Sequence, residues 1–171
     1  MIYIDFDGVI LDTEKILFEE WRKNPNRGNL PEIEKIKYIQ KADWRYIINN
    51  SNVINDAIYY LKQMDSGKTA ILTKIHSSNN EGTEKIKWIR ENGLKQDVVL
   101  VPYIFKKSDV VNAEGNILID DCLKNIKDWN DSGGTGFFFD MDDDDYDSWQ
   151  QPNVERYEKV LSLSKFTKNK I

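Results

Sequence analysis

The first eight residues, MIYIDFDG, constrain the fold more than any other stretch of the 171-residue chain. Met1 to Ile4 is a short apolar run of β-branched and aromatic side chains, ending on Asp5, Asp7 and the turn residue Gly8. A run of that length closed by a turn signal reads as a buried strand. Similar runs recur at Thr69 to Thr73, Val98 to Val101, Asn116 to Ile119 and Gly136 to Phe139. Helical stretches lie between them: Glu81 to Glu91, closed by Asn92 and Gly93, and Leu123 to Asp131 on Ile126 and Trp129, closed by Gly133 and Gly134. PYIFKKSDVV reads as loop with a short turn of helix, and a last helix is expected from Val154 to Leu163. Strands alternating with helices predict an α/β fold, a three-layer sandwich around a mainly parallel sheet.

One segment breaks the alternation. Helical spacing covers Leu11 to about Lys23, through Leu11, Lys15, Phe18 and Trp21, with Asp12 or Thr13 as N-cap. After the punctuation NPNRGNLP it resumes at Ile33, Ile36 and Ile39, extending toward Trp44 and Ile47. Asn52 to Met64 reads as a further helix on Val53, Ile54, Ala57, Ile58 and Leu61. The expected division is a core of residues 1–13 and 63–171 with a small helical insertion, 14–62. Phe18, Trp21, Trp44 and Tyr46 read first as the insertion's own core and second as a wall against a substrate.

Right-handed crossovers place the carboxyl ends of parallel strands on one edge, where ligands bind. Three such ends carry Asp5-Phe6-Asp7, Thr73 and Asp120-Asp121. Carboxylates as close as Asp5 and Asp7 repel unless a cation or a proton is shared. A reaction at phosphorus uses both. Asp5 is the candidate nucleophile, and Asp7 the group that protonates the leaving oxygen and then deprotonates water. Asp5, the carbonyl of Asp7 and Asp120 would suit Mg²⁺, which takes oxygen ligands. Thr73 and Lys74 are candidate phosphate contacts, the second reading of Thr73 being that it satisfies backbone groups at its own strand end. Lys107 is preferred to Lys106 as the cation beside the nucleophile, because it directly precedes Ser108-Asp109 at the start of a turn. Asp121 is expected to orient Lys107 or a metal-bound water. Asp5, Asp120, Asp121 and a phosphate dianion sum to about −5 against about +3 from Mg²⁺ and one lysine, so backbone N–H groups or a proton on Asp7 must meet the rest. His76 and Asn125 lie within reach in sequence but read first as a surface and a helix-end residue. Cys122 reads as a small side chain beside the metal. Asp142 to Asp145 lacks the glycine and spacing of an EF-hand loop and reads as a solvated loop.

The stretch DFDGVILDTE, Thr73 closing ILT, a lysine at 106 or 107 and ILIDD at 117 to 121 together resemble the haloacid dehalogenase-like (HAD) superfamily of phosphohydrolases. The resemblance implies a Rossmann-type core, a first aspartate (Asp5) as nucleophile and a second (Asp7) as general acid/base. Dehalogenases of the superfamily lack that second aspartate, and P-type ATPases carry threonine there. It further implies that the insertion is a cap over the site. ILIDDCLKNIKDW, followed by paired glycines and an apolar strand, is similar to the 5'(3')-deoxyribonucleotidase branch, which removes phosphate from nucleoside monophosphates. The insertion is short for that branch, so no base-recognition residue carries over.

Net charge of −5 argues against nucleic-acid or anionic-membrane binding by the whole surface, and no apolar run suits a membrane span. A lone cysteine, and a first strand that follows Met1 without a leader pattern, make the cytoplasm the default setting. The expectation is an Mg²⁺-dependent phosphomonoesterase for a small phosphorylated metabolite, a nucleoside monophosphate first, working through an aspartyl-phosphate. The alternatives are a phosphatase for sugar phosphates or nucleic-acid ends, and a non-catalytic binding module that keeps the fold.

Overall fold

The computed structural model describes residues 1–76, 79–140 and 158–167. Six strands form one sheet, parallel throughout: β1 (Ile2–Ile4), β2 (Thr69–Ile75), β3 (Asp97–Pro102), β4 (Ile117–Asp120), β5 (Thr135–Phe139) and β6 (Lys159–Val160). Their order is β3-β2-β1-β4-β5-β6, with β1 at the centre. Each strand is a short, nearly continuous apolar run because both faces are covered. On one face Ile4, Phe6, Ile71 and Ile119 pack with Leu61 and Ile89. On the other, Leu72, Val101 and Leu118 pack with Ile126 and Trp129. These residues belong to α5 (Ala57–Gln63), α6 (Glu81–Glu91) and α8 (Leu123–Asp131), and the result is the expected three-layer α/β sandwich. A short helix, α7 (Lys107–Val110), lies between β3 and β4. No helix among the described residues is long and apolar enough to cross a membrane.

Register positions the site. Ile4 is level with Ile71 on one side and Ile119 on the other, and Asp5 N–H donates to the Ile119 carbonyl at 2.9 Å. The acidic residues after β1 and at the end of β4 therefore emerge side by side, where β1 lies between its two neighbours.

Residues 13–63 form helices without a strand, but in shorter pieces than the periodicity predicts. The first helix is two, α1 (Thr13–Leu17) and α2 (Glu19–Arg22), separated at Phe18. The second also divides, into α3 (Glu32–Lys41) and α4 (Trp44–Asn50), because Asp43 opens a new N-terminus by accepting the Tyr46 N–H at 3.1 Å. The helix expected from Asn52 starts only at Ala57. Asp12 N–H donates to the Asn52 carbonyl and Ile54 N–H to the Ile10 carbonyl, so residues 52–54 satisfy the loop after β1. Asn55 and Asp56 then adopt left-handed backbone, with φ of 40° and 58°, which no continuing helix allows. Near the C-terminus, Lys159–Val160 is a strand and Leu163–Phe166 a 3₁₀ turn, which corrects the expected helix over those residues. Val160 is needed at the sheet edge, where Phe139 is its partner. The start of that expected helix, and Asp142 to Asp145, lie outside the described residues.

Gly134 sits where β5 begins beneath Trp129, and a Cβ there would collide with the indole Nε1 and Cδ1 and stand 2.8 Å from the Ala113 carbonyl. Both neighbours are buried, so neither yields without displacing core. Gly134→Ala is expected to cost about 1–3 kcal/mol by overpacking, read as a lowered thermal midpoint. An unchanged midpoint would show that this corner repacks freely.

Candidate active site

Asp5 leaves β1 into the sheet edge with only 7% of its surface exposed. Its Oδ1 accepts the Phe6 N–H at 2.8 Å, and no hydrogen bond reaches Oδ2 among the described residues. One oxygen is therefore held and the other is left to act. Gly8, at φ 68°, turns the chain so that Ile10 and Leu11 N–H both return to the Phe6 carbonyl. That tight loop sets Asp7 close to Asp5.

Lys107 opens α7 and is buried between Asp5 and Asp120, with Nζ 3.0 Å from Asp5 Oδ1 and 2.6 Å from Asp120 Oδ2. Lys106 turns outward to Asp128 at 3.1 Å, so the geometry separates the two lysines. Asp120 is fully enclosed. Its Oδ1 accepts the Cys122 N–H at 2.9 Å, and Asn125 Nδ2 spans both oxygens at 3.1 Å. Asn125, read from sequence as a helix-end residue, is thus part of this cluster. Burial would lower the Lys107 pKa, but Asp120 and Asp5 outweigh it and the ammonium is held well above its usual range. Burial pushes the Asp5 carboxyl up to about 7, against the opposing pull of Lys107 and with Asp120 and Asp7 adding to the rise.

Around Asp7 the structure adds residues that the sequence reading missed. Thr13, at the start of α1, donates to Asp7 Oδ1 at 2.6 Å, so its hydroxyl does not cap its own helix. Thr73 donates to Asp7 Oδ2 at 3.3 Å, and Lys85 from α6 donates to the same oxygen at 2.5 Å. Every hydrogen bond of Asp7 among the described residues is one it accepts. The charge count, which left the balance to backbone N–H groups or a proton on Asp7, did not include Lys85. Lys85 also donates to Glu81 Oε1 at 2.8 Å and to the Lys74 carbonyl at 2.9 Å. Burial would lower the Lys85 pKa; Asp7 and Glu81 reverse that and raise it. A faint signal existed in the sequence: Glu81 and Lys85 share the i, i+4 register of the buried Ile89.

A cavity of about 290 Å³ opens over these groups. Asp5, Asp7, Lys74, Asp121 and Asn125 line its floor, and Leu17, Phe18, Lys35, Ile39 and Trp44 from the insertion line its roof. His76 stacks on Tyr103 at one wall, 5.6 Å between ring centroids, and burial with nearby Lys85 depresses its pKa to about 4. It is a neutral ring in the cavity, not a surface residue. Lys74 is placed there as expected, whereas Thr73 is fully buried and off the cavity wall, its hydroxyl within 3.3 Å of Asp7 Oδ2, the Lys74 carbonyl and the Lys85 ammonium. Of the four aromatics of the insertion, Phe18 and Trp44 face the cavity, Trp21 packs on Tyr38, and Tyr46 is exposed. Cys122 also borders the cavity, and burial beside Asp120 pushes its thiol up to about 11, away from nucleophilic use.

No family profile and no curated protein sequence matches the chain. Solved structures do. An L-2-haloacid dehalogenase from Xanthobacter autotrophicus superposes with a TM-score of 0.60 at 12% identity, over 96% of this chain and 95% of that one. A HAD phosphatase from Thermococcus onnurineus superposes at 0.55 and 13% identity, over 96% and 94%. A phosphonoacetaldehyde hydrolase-like protein from Oleispira antarctica does so at 0.57 and 10% identity, over 96% and 88%. The fold is that of the HAD-like hydrolases.

At the carboxyl edge of the sheet one oxygen each of Asp5, Asp120 and Asp121 lies within 4.8 Å of the others. Three carboxylate oxygens are the donor set of a hard cation such as Mg²⁺. Asp121, expected behind the metal, offers its oxygen to the same point as the other two. The side chain of Asp7 stands outside that group.

The rise in the Asp5 pKa has a stability consequence. Its folded value of about 7 lies above the model-peptide 3.8, so its contribution is fully present below the lower value and is lost as pH rises through the upper one. In chelator, Asp5→Asn is expected to melt above wild type, by a margin that widens from about pH 4 to pH 7 and then levels. Mg²⁺ should narrow the margin by stabilising only the carboxylate form. A margin independent of pH would contradict the burial of Asp5 as a charged group.

Proposed function

We propose that this chain is an Mg²⁺-dependent phosphomonoesterase acting on a small phosphorylated metabolite in the cytoplasm. The observation that carries the reading is Asp5 Oδ2, a carboxylate oxygen with no donor among the described residues, at a cavity floor shared with Asp7. Within the superfamily that this sequence pattern resembles, the dehalogenases lack the second aspartate, so the presence of Asp7 favours transfer of a phosphoryl group. Mg²⁺ held by oxygens of Asp5, Asp120 and Asp121 would supply positive charge for the phosphoryl oxygens and favour ionised Asp5.

In the first step Asp5 Oδ2 attacks phosphorus while the bond to the ester oxygen breaks, and the leaving oxygen takes a proton from Asp7. In the second, a water attacks the aspartyl-phosphate and gives its proton to Asp7, which restores the acid and releases inorganic phosphate. As found, with each hydrogen bond accepted, Asp7 is arranged for the second step. Lys107 holds the other oxygen of Asp5, so the nucleophile presents one atom in a fixed direction. Lys74 has no ion pair among the described residues and faces the cavity, where it would meet a phosphate oxygen.

Nucleoside monophosphates are the leading substrate class within this proposal. The aromatic faces of Phe18, Trp44, Tyr103 and His76 around the cavity support a planar leaving group, and its volume of about 290 Å³ supports a small one. Sugar phosphates are the second reading, supported by the polar Glu14, Glu32 and Lys35 in the same wall.

Phosphate release with Mg²⁺ should be measured over 5'- and 3'-deoxynucleotides, sugar phosphates and a 3'-phosphorylated oligonucleotide. Turnover of nucleotides, lost with chelator and in Asp5→Asn by at least about 10³-fold, is expected. Retained metal-dependent turnover in Asp5→Asn would overturn the assignment of the nucleophile. Inactivity over the whole panel with metal bound would favour a binding module.

A further inference from the structure

Lys85 takes no part in the reaction set out above, yet its side chain is wholly enclosed. Four acceptors surround its three N–H groups: Asp7 Oδ2 at 2.5 Å, Glu81 Oε1 at 2.8 Å, the Lys74 carbonyl at 2.9 Å and, more distantly, Thr73 Oγ1 at 3.3 Å. Trp44 of α4 covers the ammonium at 4.8 Å from its ring centroid, and Phe6 flanks it at 5.8 Å. Glu81 is itself held, since its other oxygen accepts the His76 N–H at 2.7 Å. A fully bonded ammonium on a packed helix cannot swivel. Burying it is costly, and an apolar residue in register with Ile89 would serve α6 better if packing were the only demand.

The recipient of this rigidity is Asp7. Its carboxylate is 22% exposed, projects from a loop, and rotates about a torsion that is intrinsically broad. Thr13 holds Oδ1 and Lys85 holds Oδ2, and together they fix the plane of the group. We propose that Lys85, anchored by Glu81 and roofed by Trp44, is a positioning residue that fixes the Asp7 carboxylate in the pose from which it exchanges protons with the leaving group and the water. The proposal rests on the phosphomonoesterase reading. It makes α6, a helix of the core with no residue in the expected motifs, part of the proton-transfer apparatus. It also ties that apparatus to the seating of α4, which the Arg45–Glu84 ion pair at 3.0 Å fastens to α6.

A positioning role predicts a loss that depends on how much help the leaving group needs. Phenyl phosphate and 4-nitrophenyl phosphate with Mg²⁺ are the probes, since the phenolate needs a proton far more than the nitrophenolate. Lys85→Met is expected to lower kcat/KM for phenyl phosphate about 100-fold and for 4-nitrophenyl phosphate less than about 10-fold, with KM little changed. Lys85→Arg should recover part of the difference. Because Lys85→Met leaves Glu81 buried without its counter-charge, Glu81→Gln combined with Lys85→Met provides a neutral pair for the same measurement. Equal losses on both esters, no loss, or a loss carried by KM would overturn the positioning role. Wild-type inactivity on both esters would overturn the phosphomonoesterase reading and this inference with it. An active wild type with variants that lose both esters equally would overturn this inference alone.

Discussion

Two ammonium groups are buried at the carboxyl edge of the sheet, and each lies between two carboxylates: Lys107 between Asp5 and Asp120, Lys85 between Asp7 and Glu81. These pairs, with the hydrogen bonds from Phe6, Thr13, Cys122 and Asn125, are what let the enclosed edge hold its acids. Taking an ion out of water costs several kcal/mol even after relaxation, and geometry this close is what offsets it. In the proposed reaction the pairs would also divide the labour between the aspartates of the first loop. Lys107 grips one oxygen of Asp5 and leaves the other bare, whereas Lys85 and Thr13 occupy both oxygens of Asp7. An attacking group needs a free lone pair, and a proton-exchanging group needs a fixed direction. Identical side chains two residues apart receive those different treatments from α7 and α6.

The fold makes this arrangement accessible. A parallel sheet centred on β1 brings the end of β4 beside the end of β1, and the intervening helices must begin at the same edge. Lys107 starts α7 there, and Glu81 and Lys85 occupy the first turns of α6. The helices of residues 13–63 then close over the edge, with Phe18, Lys35 and Trp44 facing the acids. Lys35 stands 4.8 Å from the Phe18 ring centroid, and burial lowers its pKa against the pull of Glu14.

The sequence disclosed the sheet and its acidic ends because both are local. Asp5 and Asp120 follow apolar runs, and the runs identify themselves as strands. Lys107 was accessible because it directly precedes Ser108-Asp109 at the start of a turn. Thr13, Glu81 and Lys85 were not, because a polar residue inside a helix acquires meaning only from the face that tertiary packing buries. Thr13 looked like a cap and spends its hydroxyl on Asp7 instead. The helical spacing of Val53, Ile54 and Ala57 misled for a related reason: the backbone of residues 10–12 claims residues 52–54 before a helix can include them. Periodicity reports what a segment could do alone, and long-range hydrogen bonds decide what it does.

The central claim is that Asp5 carries the phosphoryl group. A single turnover of a nucleoside monophosphate with Mg²⁺, quenched in acid and reduced with borohydride, converts an aspartyl-phosphate to homoserine that peptide mass spectrometry can place. The account predicts homoserine at position 5, in amounts that follow the phosphate transferred, and none at position 7. Phosphate release without homoserine at position 5, or with homoserine at any other aspartate, would contradict it.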